Sequence, residues 1–271
     1  MIKIIILTSD QIRHRFFRIS LSNHKNIKIL KTFSEKKQGL GFNYDLNRLK
    51  NDIKSLHIFK RDVIENDFFS NKNKILNDKS NNIFCSKGYS STPQCLKSIN
   101  RLQPDLIIVY GTSIIRGDIL NKYKNRIINV HLGLSPYYRG AATNFFAFSD
   151  DNLQCVGSTF MYIDKGIDTG NIIHQIRAKM NYGDSFHQIC TRLIVDSIEE
   201  LKDLILNYKK IKLKKIKNNK GSVNLYYKRS DFSKVSLKNF YKRFEKKLNY
   251  YLDNKKKIDQ KYKIIKQQFI K

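Results

Sequence analysis

The chain has 271 residues, is 41% apolar, and carries 52 Lys/Arg against 23 Asp/Glu for a formal net charge of +29. That length suits one full catalytic domain plus an extension, or two small domains, and the apolar share supports an ordinary core, which excludes a disordered chain. The longest apolar runs, Ile4 to Leu7 and Leu106 to Tyr110, are too short to cross a bilayer; the cysteines (Cys85, Cys95, Cys155, Cys190) show no CxxC pair and the six histidines no HExxH, so no membrane span, disulfide framework or metal site is expected.

The first residues hold one Lys and a short apolar run with no small-residue cleavage site, so they read as a buried strand, Lys3 to Thr8, in a chain that stays in the cytoplasm with reduced thiols. Helical spacing follows from Gln11 to Leu21, then a second strand over Asn26 to Leu30. Thr32 to Asn43, with Gly39 and Gly41, reads as a loop, and Asp45 to Phe59 as a helix through Leu46, Leu49, Ile53 and Leu56. Residues 64–93 are rich in Asn, Lys and Ser and predict irregular structure with one short strand near Ile83 to Cys85. Ser91-Thr92-Pro93 opens a helix to Leu102, and Leu106 to Tyr110 is a β-branched strand ending at Gly111. A helix over Ile115 to Tyr123 and a strand over Arg126 to Val130 continue the alternation, which predicts an α/β fold with a mostly parallel twisted sheet flanked by helices. Further on, Ala141 to Phe148 predicts a helix, Gln154 to Ile163 and Asn171 to Ala178 two strands, and Asp184 the N-cap of a helix reaching Leu206. The pattern then turns Lys-rich: residues 208–271 hold 22 Lys/Arg against 4 Asp/Glu. The expected organisation is a catalytic domain over 1–207 and a basic, helical C-terminal extension over 208–271.

Ligands of parallel sheets bind beyond the carboxyl ends of the strands, so the loops after Tyr110 and Val130 are where chemistry belongs. Asn129 and His131 stand two apart at a predicted strand end, and Asp168 lies in the turn Asp164-Lys165-Gly166-Ile167-Asp168-Thr169-Gly170. Taken singly, the His reads as a satisfied structural group and the Asp as a turn residue.

Three segments together carry a resemblance: Leu106 to Leu120 (LIIVYGTSIIRGDIL), Ile128 to Ala142 (INVHLGLSPYYRGAA) and Gly157 to His174 (GSTFMYIDKGIDTGNIIH). The chain resembles the formyltransferases that use 10-formyltetrahydrofolate, which act on glycinamide ribonucleotide, methionyl-tRNA or amino-sugar nucleotides. The resemblance is clearest from Pro104 to Gln175 and extends loosely over 1–206. It implies a Rossmann-like domain in which Asn129, His131 and Asp168 are catalytic. It also places Tyr110, Gly111, Thr112, Ser113, Ile114, Ile115, Ile163, Asp164 and Lys165 beside 10-formyltetrahydrofolate, the formyl donor, with no metal. The chemistry asks for these residue types. An amine attacks the formyl carbon, an amide and an imidazole hold the oxygen as it gains charge, and a carboxylate helps move protons.

Ser9, Asp10, Arg139 and Gly140 are the expected acceptor-binding positions; Arg13 and His14 read as a solvated helix face. The chain departs from the family in Leu132-Gly133-Leu134-Ser135-Pro136, where relatives often carry Pro-Ser-Leu-Leu-Pro, and in one extra residue before Asp168. The first loop, Thr8 to Arg13, lacks the Gly/Ser-rich phosphate cradle expected for glycinamide ribonucleotide. The segment after 208 is short for the C-terminal barrel of methionyl-tRNA formyltransferases. By elimination the acceptor is expected to be an amino-sugar nucleotide, then glycinamide ribonucleotide, then methionyl-tRNA. A formyl-folate hydrolase and an RNA-binding protein on an inactive scaffold are the remaining readings. Tyr226-Tyr227-Lys228-Arg229 and Phe240-Tyr241-Lys242-Arg243-Phe244 interleave aromatics with cations as RNA surfaces do, yet they also suit amphipathic packing with a basic outer face. The expected partners are therefore folate and a small amine acceptor. Nucleic acid ranks below them, and a homodimer is left open.

Overall fold

The structure is a computed structural model describing residues 1–36, 46–214 and 223–270. Its strands are β1 (Ile2–Ser9), β2 (Ile27–Glu35), β3 (Asn82–Cys85), β4 (Leu106–Tyr110), β5 (Ile127–His131), β6 (Tyr138–Gly140), β7 (Gly157–Tyr162), β8 (Ile172–Arg177) and β9 (Leu225–Tyr227). Its α-helices are α1 (Ile12–Ser22), α2 (Leu46–Asn51), α3 (Ile53–Ile75), α4 (Pro93–Leu102), α5 (Asp118–Lys122), α6 (Thr143–Ser149), α7 (Phe186–Leu206), α8 (Lys234–Asp253) and α9 (Lys255–Asp259). None of the described helices is long and apolar enough to cross a membrane.

Seven strands form one sheet in the order β3-β2-β1-β4-β5-β7-β8. The first five in that order pair in parallel, and β7 and β8 close the sheet antiparallel. The central strands are unbroken apolar runs because both faces are covered. Ile4, Ile6, Leu106, Ile108 and Ile128 pack on one face with Phe16 and Phe17 of α1, Phe69 of α3 and Ile198 and Leu201 of α7. Ile5, Leu7, Ile107, Val109 and Ile127 pack on the other with Cys95 and Ile99 of α4. The crossover order reverses between β1 and β4, so the loops after these strands part and leave a crevice.

The structure revises several sequence expectations. The strand β2 runs on to Glu35 because its polar inward residues find partners: Thr32 Oγ1 donates to Ser80 O at 2.8 Å and Ser34 Oγ to Asn82 Oδ1 at 2.6 Å. The rest of the expected loop, with Gly39 and Gly41, and Asp45 at the start of the expected helix, lie outside the described residues. Much of 64–93 is helical: α3 continues to Ile75 from an Asp52 cap that accepts from Lys54 N and Ser55 N. Its buried stripe is Glu65, Phe69 and Asn73, with only one apolar residue, so hydrophobic periodicity does not reveal it. The cap of α7 is Ser185, in a reciprocal box with Gln188, while Asp184 pairs with Arg192 at 2.8 Å. The helix expected over Ile115 to Tyr123 is only the five residues of α5, begun at Gly117 with φ +83°.

The basic tail packs on the domain. Leu237, Phe240, Leu248 and Tyr251 of α8 share a core with Phe145, Phe148 and Phe186. The cations Lys242 and Arg243 face outward, so the amphipathic reading of this segment holds. The last described residues cover the β8 edge: Gln175 N donates to Ile265 O at 2.7 Å and Ile265 N to Gln175 Oε1 at 3.1 Å.

Candidate active site

Period-two geometry at the carboxyl end of β5 turns Asn129 and His131 to the same side while Ile128 and Val130 enter the core. Asn129 is half-buried, and its amide has no hydrogen-bond partner among the described residues. His131 is buried, with Nδ1 3.4 Å from Asp168 Oδ2 and Nε2 3.2 Å from Tyr138 O. Gly133 lies so close behind that a Cβ there would sit 2.6 Å from His131 Nε2, which accounts for glycine at this departure from the family pattern.

Asp168 arrives from the turn between β7 and β8. Asp164 organises that turn by accepting from Gly166 N at 2.9 Å and Thr169 Oγ1 at 2.7 Å. Asp168 itself has φ +52°, a left-handed conformation that Asp tolerates better than most residues. Its Oδ2 also accepts from Gly140 N at 2.9 Å. Asn129, His131 and Asp168 line one cleft of about 860 Å³ beyond the ends of β4 and β5. That volume lies within the usual range for small-molecule sites.

Residues 2–200 match the family model described as formyl transferase. The chain belongs to the formyltransferase family. Among curated proteins it is similar to methionyl-tRNA formyltransferase of Syntrophomonas wolfei, 36% identical over 126 residues that make up 44% of this chain and 39% of that one. The corresponding protein of Geobacter sulfurreducens is 33% identical over 129 residues, 45% of this chain and 40% of that one. The chain thus matches about two fifths of the length of these relatives. Two solved structures share the fold. One is glycinamide ribonucleotide transformylase 1 of Symbiobacterium toebii (TM-score 0.54, 16% identity, 78% of this chain and 88% of that one). The other is a sugar N-formyltransferase of a Shewanella species (TM-score 0.53, 16% identity, 86% and 78%).

One wall of the cleft is the loop after β4. Tyr110, Gly111, Thr112, Ser113, Ile114 and Ile115 all line it, as do Ile163 and Asp164; Lys165 is exposed and outside the lining. Glu35 at the end of β2 holds this loop. Its carboxylate accepts from Ser113 N at 3.0 Å, Ser113 Oγ at 2.5 Å and Ser90 N at 3.1 Å. Burial opposes its charge, but the bonds from Ser113 and Ser90 outweigh that and lower its pKa. Ser90 Oγ and Thr112 Oγ1 lie 3.0 Å apart, and Ser91 Oγ donates to Ile114 O at 3.2 Å and accepts from Arg116 N at 2.9 Å.

Of the expected acceptor positions, Gly140 lines the cleft. Ser9 is buried, with Oγ 2.8 Å from His14 Nδ1, and it lies outside the lining, as does the exposed Asp10. Arg139 faces a separate cavity of about 170 Å³ shared with Ser135 and Asp168. Arg13 and His14 are not a solvated face. His14 is buried, its ring centroid 4.8 Å from that of Tyr110, and Arg13 donates to both oxygens of Glu65 at 2.8 and 2.7 Å. Burial works against the Arg13 charge, but the Glu65 carboxylate more than offsets it and raises the pKa. These pairings across 52 residues of chain carry no local sequence signal.

Sequence reading also missed the opposite wall, where His57, Phe145, Phe186, His187 and Phe232 come together. The rings of His57 and His187 lie 4.5 Å apart, and His57 Nδ1 is 2.8 Å from Tyr241 Oη. Burial first, then the nearby charges of Arg61 and Lys60, lower the His57 pKa to about 4; burial and the neighbouring His57 lower that of His187 to about 3. Both imidazoles are neutral at pH 7, so this wall offers aromatic surface without cationic histidine.

Proposed function

We propose that this chain transfers a formyl group from 10-formyltetrahydrofolate to the primary amine of a small acceptor, with an amino-sugar nucleotide the leading candidate. The observation that carries the reading is the convergence of Asn129 and His131, from β5, and Asp168, from the β7–β8 turn, on one cleft walled by the Gly111–Ile115 loop. The residues present suit the donor: backbone groups of that loop and of Ile163 and Asp164 would hold it, beside an Asn129 amide with no hydrogen-bond partner among the described residues. The bound donor supplies an activated carbonyl carbon.

Asn129 donates its amide N–H to the carbonyl oxygen and stabilises the charge that develops there. In its protonated form His131 donates Nδ1–H to Asp168, which fixes the ring, and offers Nε2–H as the second donor. Its 3.2 Å contact with Tyr138 O is long, and contacts of this length rearrange when substrate binds. Each such donor is worth about 3–4 kcal/mol in the transition state. Asp168 then accepts the amine proton, directly or through water, and returns it towards the departing nitrogen.

Tyr226, Tyr227, Lys228, Arg229 and Phe232 of the tail line part of the cleft, which favours a small acceptor. The turn after β1 offers no open phosphate cradle, since Ser9 and Arg13 are engaged with His14 and Glu65, which disfavours glycinamide ribonucleotide. Methionyl-tRNA is the second reading, supported by the curated relatives and by the surplus of 18 cations in residues 208–271. Incubation with donor labelled in the formyl carbon and a panel of sugar nucleotides, glycinamide ribonucleotide and charged tRNA tests these readings. Label is expected in a sugar nucleotide. Label recovered only as free formate removes the transferase reading in favour of hydrolysis.

A further inference from the structure

Two of the three reacting groups are held by the same short strand. Tyr138 O meets His131 Nε2 at 3.2 Å, and Gly140 N donates to Asp168 Oδ2 at 2.9 Å. Tyr138 and Gly140 are the two ends of β6. A strand of three residues is not stable by itself, so whatever pairs with β6 fixes where both side chains are held. Among the described residues its ladder partner is β9, which lies in the tail beyond residues 2–200 that define the family match.

The pairing is close and doubly closed. Tyr138, Arg139 and Gly140 stand opposite Leu225, Tyr226 and Tyr227. Leu225 N donates to Tyr137 O and Ala141 N to Tyr227 O, both at 2.8 Å, just outside the two ends of β6. Gly140 has φ +93°, and a Cβ there would press into Tyr227 O and lie 2.9 Å from the Tyr226 ring. The approach of β9 therefore leaves room only for glycine at the residue whose N–H holds Asp168.

Tyr227 anchors β9. Its ring stacks on Phe146 with centroids 3.7 Å apart and planes 2° from parallel. Its hydroxyl donates to Asp150 Oδ2 at 2.7 Å, and the Tyr138 hydroxyl reaches the same oxygen at 3.2 Å. Both strands thus grip one carboxylate.

We propose that β9 is a positioning strand for formyl transfer, holding Asp168 through Gly140 N of β6 and, by way of Asp168, the His131 ring, with Tyr227 as its anchoring residue. The proposal rests on the assignment of His131 and Asp168 to the reacting centre. The donor loop is held separately, through Glu35, Ser90 and Ser113. Loss of the anchor therefore lowers kcat and leaves donor binding alone, because a displacement of about 1 Å at a reacting group costs roughly 100-fold in rate.

The test is steady-state kinetics on the full chain. In Tyr227→Ala, kcat is expected to fall at least about tenfold while the KM for the formyl donor stays within about twofold. Tyr227→Phe, which keeps the ring on Phe146, is expected to recover the rate to within about threefold. The His131 ring-nitrogen resonances should move in the alanine variant and not in the phenylalanine one. If Tyr227→Ala does not fold, Tyr227→Leu takes its place. A folded alanine or leucine variant with wild-type kcat, or one altered only in donor KM, overturns the proposal. His131→Ala is measured alongside. Full activity there sinks the site assignment itself, whereas an inactive His131→Ala beside a fully active Tyr227→Ala sinks only the positioning strand.

Discussion

Asn129 presents to the cleft an amide with no hydrogen-bond partner among the described residues, while His131 is tied to Asp168 on one side and to Tyr138 O on the other. That division of labour predicts different mutational profiles. Asn129→Ala removes a donor and leaves no buried group stranded, so turnover should drop at least about 100-fold with little change in thermal midpoint. His131→Ala should lose as much activity and also some stability, since it opens a small void beside Gly133 and Thr143. Near-normal rates in both variants would remove the site assignment. The two histidines across the cleft make a separate prediction. Their folded pKa values, about 4 and about 3, lie below the unfolded value of 6.5. The unfolded chain therefore takes up protons first as pH falls, and the fold loses stability between about pH 6.5 and pH 3. The loss is on the order of 3 kcal/mol for His57 alone. Denaturant midpoints measured from pH 7 to pH 4 should fall less steeply in His57→Phe than in the parent chain; equal slopes would contradict the depressed pKa.

The loop after β4 shows the same logic one level up. Five residues of it line the cleft, and its conformation is set by a carboxylate from a neighbouring strand. Replacing Glu35 with Gln keeps the shape but turns an amide N–H toward Ser113 N or Ser90 N. The loop should loosen, raising the donor KM about tenfold with kcat changed less than about threefold. Unchanged donor KM would show that the loop holds itself. Strands β1 and β4 were legible in the sequence because burial on both faces demands unbroken Ile/Leu/Val runs. Asn129, His131 and Asp168 stood out only through the family resemblance, since singly each reads as a structural or turn residue. The second half of α3 was not, because its buried stripe carries Glu65 and Asn73 where a periodic pattern needs apolar residues. Nor were the partners of Arg13 and Glu35, which come from residues 52 and 78 positions away.

Across the whole molecule, the tail and the domain share one core. Phe240 of α8 lies among Phe145, Phe148 and Phe186, with ring centroids 4.8, 5.9 and 5.2 Å away. Phe240→Ala should cost about 3–5 kcal/mol, and the chain should still unfold in one calorimetric transition, because among the described residues the tail has no apolar cluster of its own to melt alone. Two transitions, with only the first one shifted, would show that 208–271 is an independent unit. The sequence by itself determined the parallel core and the family resemblance, with its two polar groups at the end of β5 and its carboxylate in the β7–β8 turn, since these depend on local pattern and on spacing along the chain. Only the tertiary structure decided that Arg13 and His14 turn inward, that His57 and His187 share a wall of the cleft, and that a strand near residue 226 braces the one holding His131 and Asp168. Those contacts join segments tens of residues apart, and pairing at that range is selected by packing and hydrogen-bond geometry, to which no local pattern is sensitive.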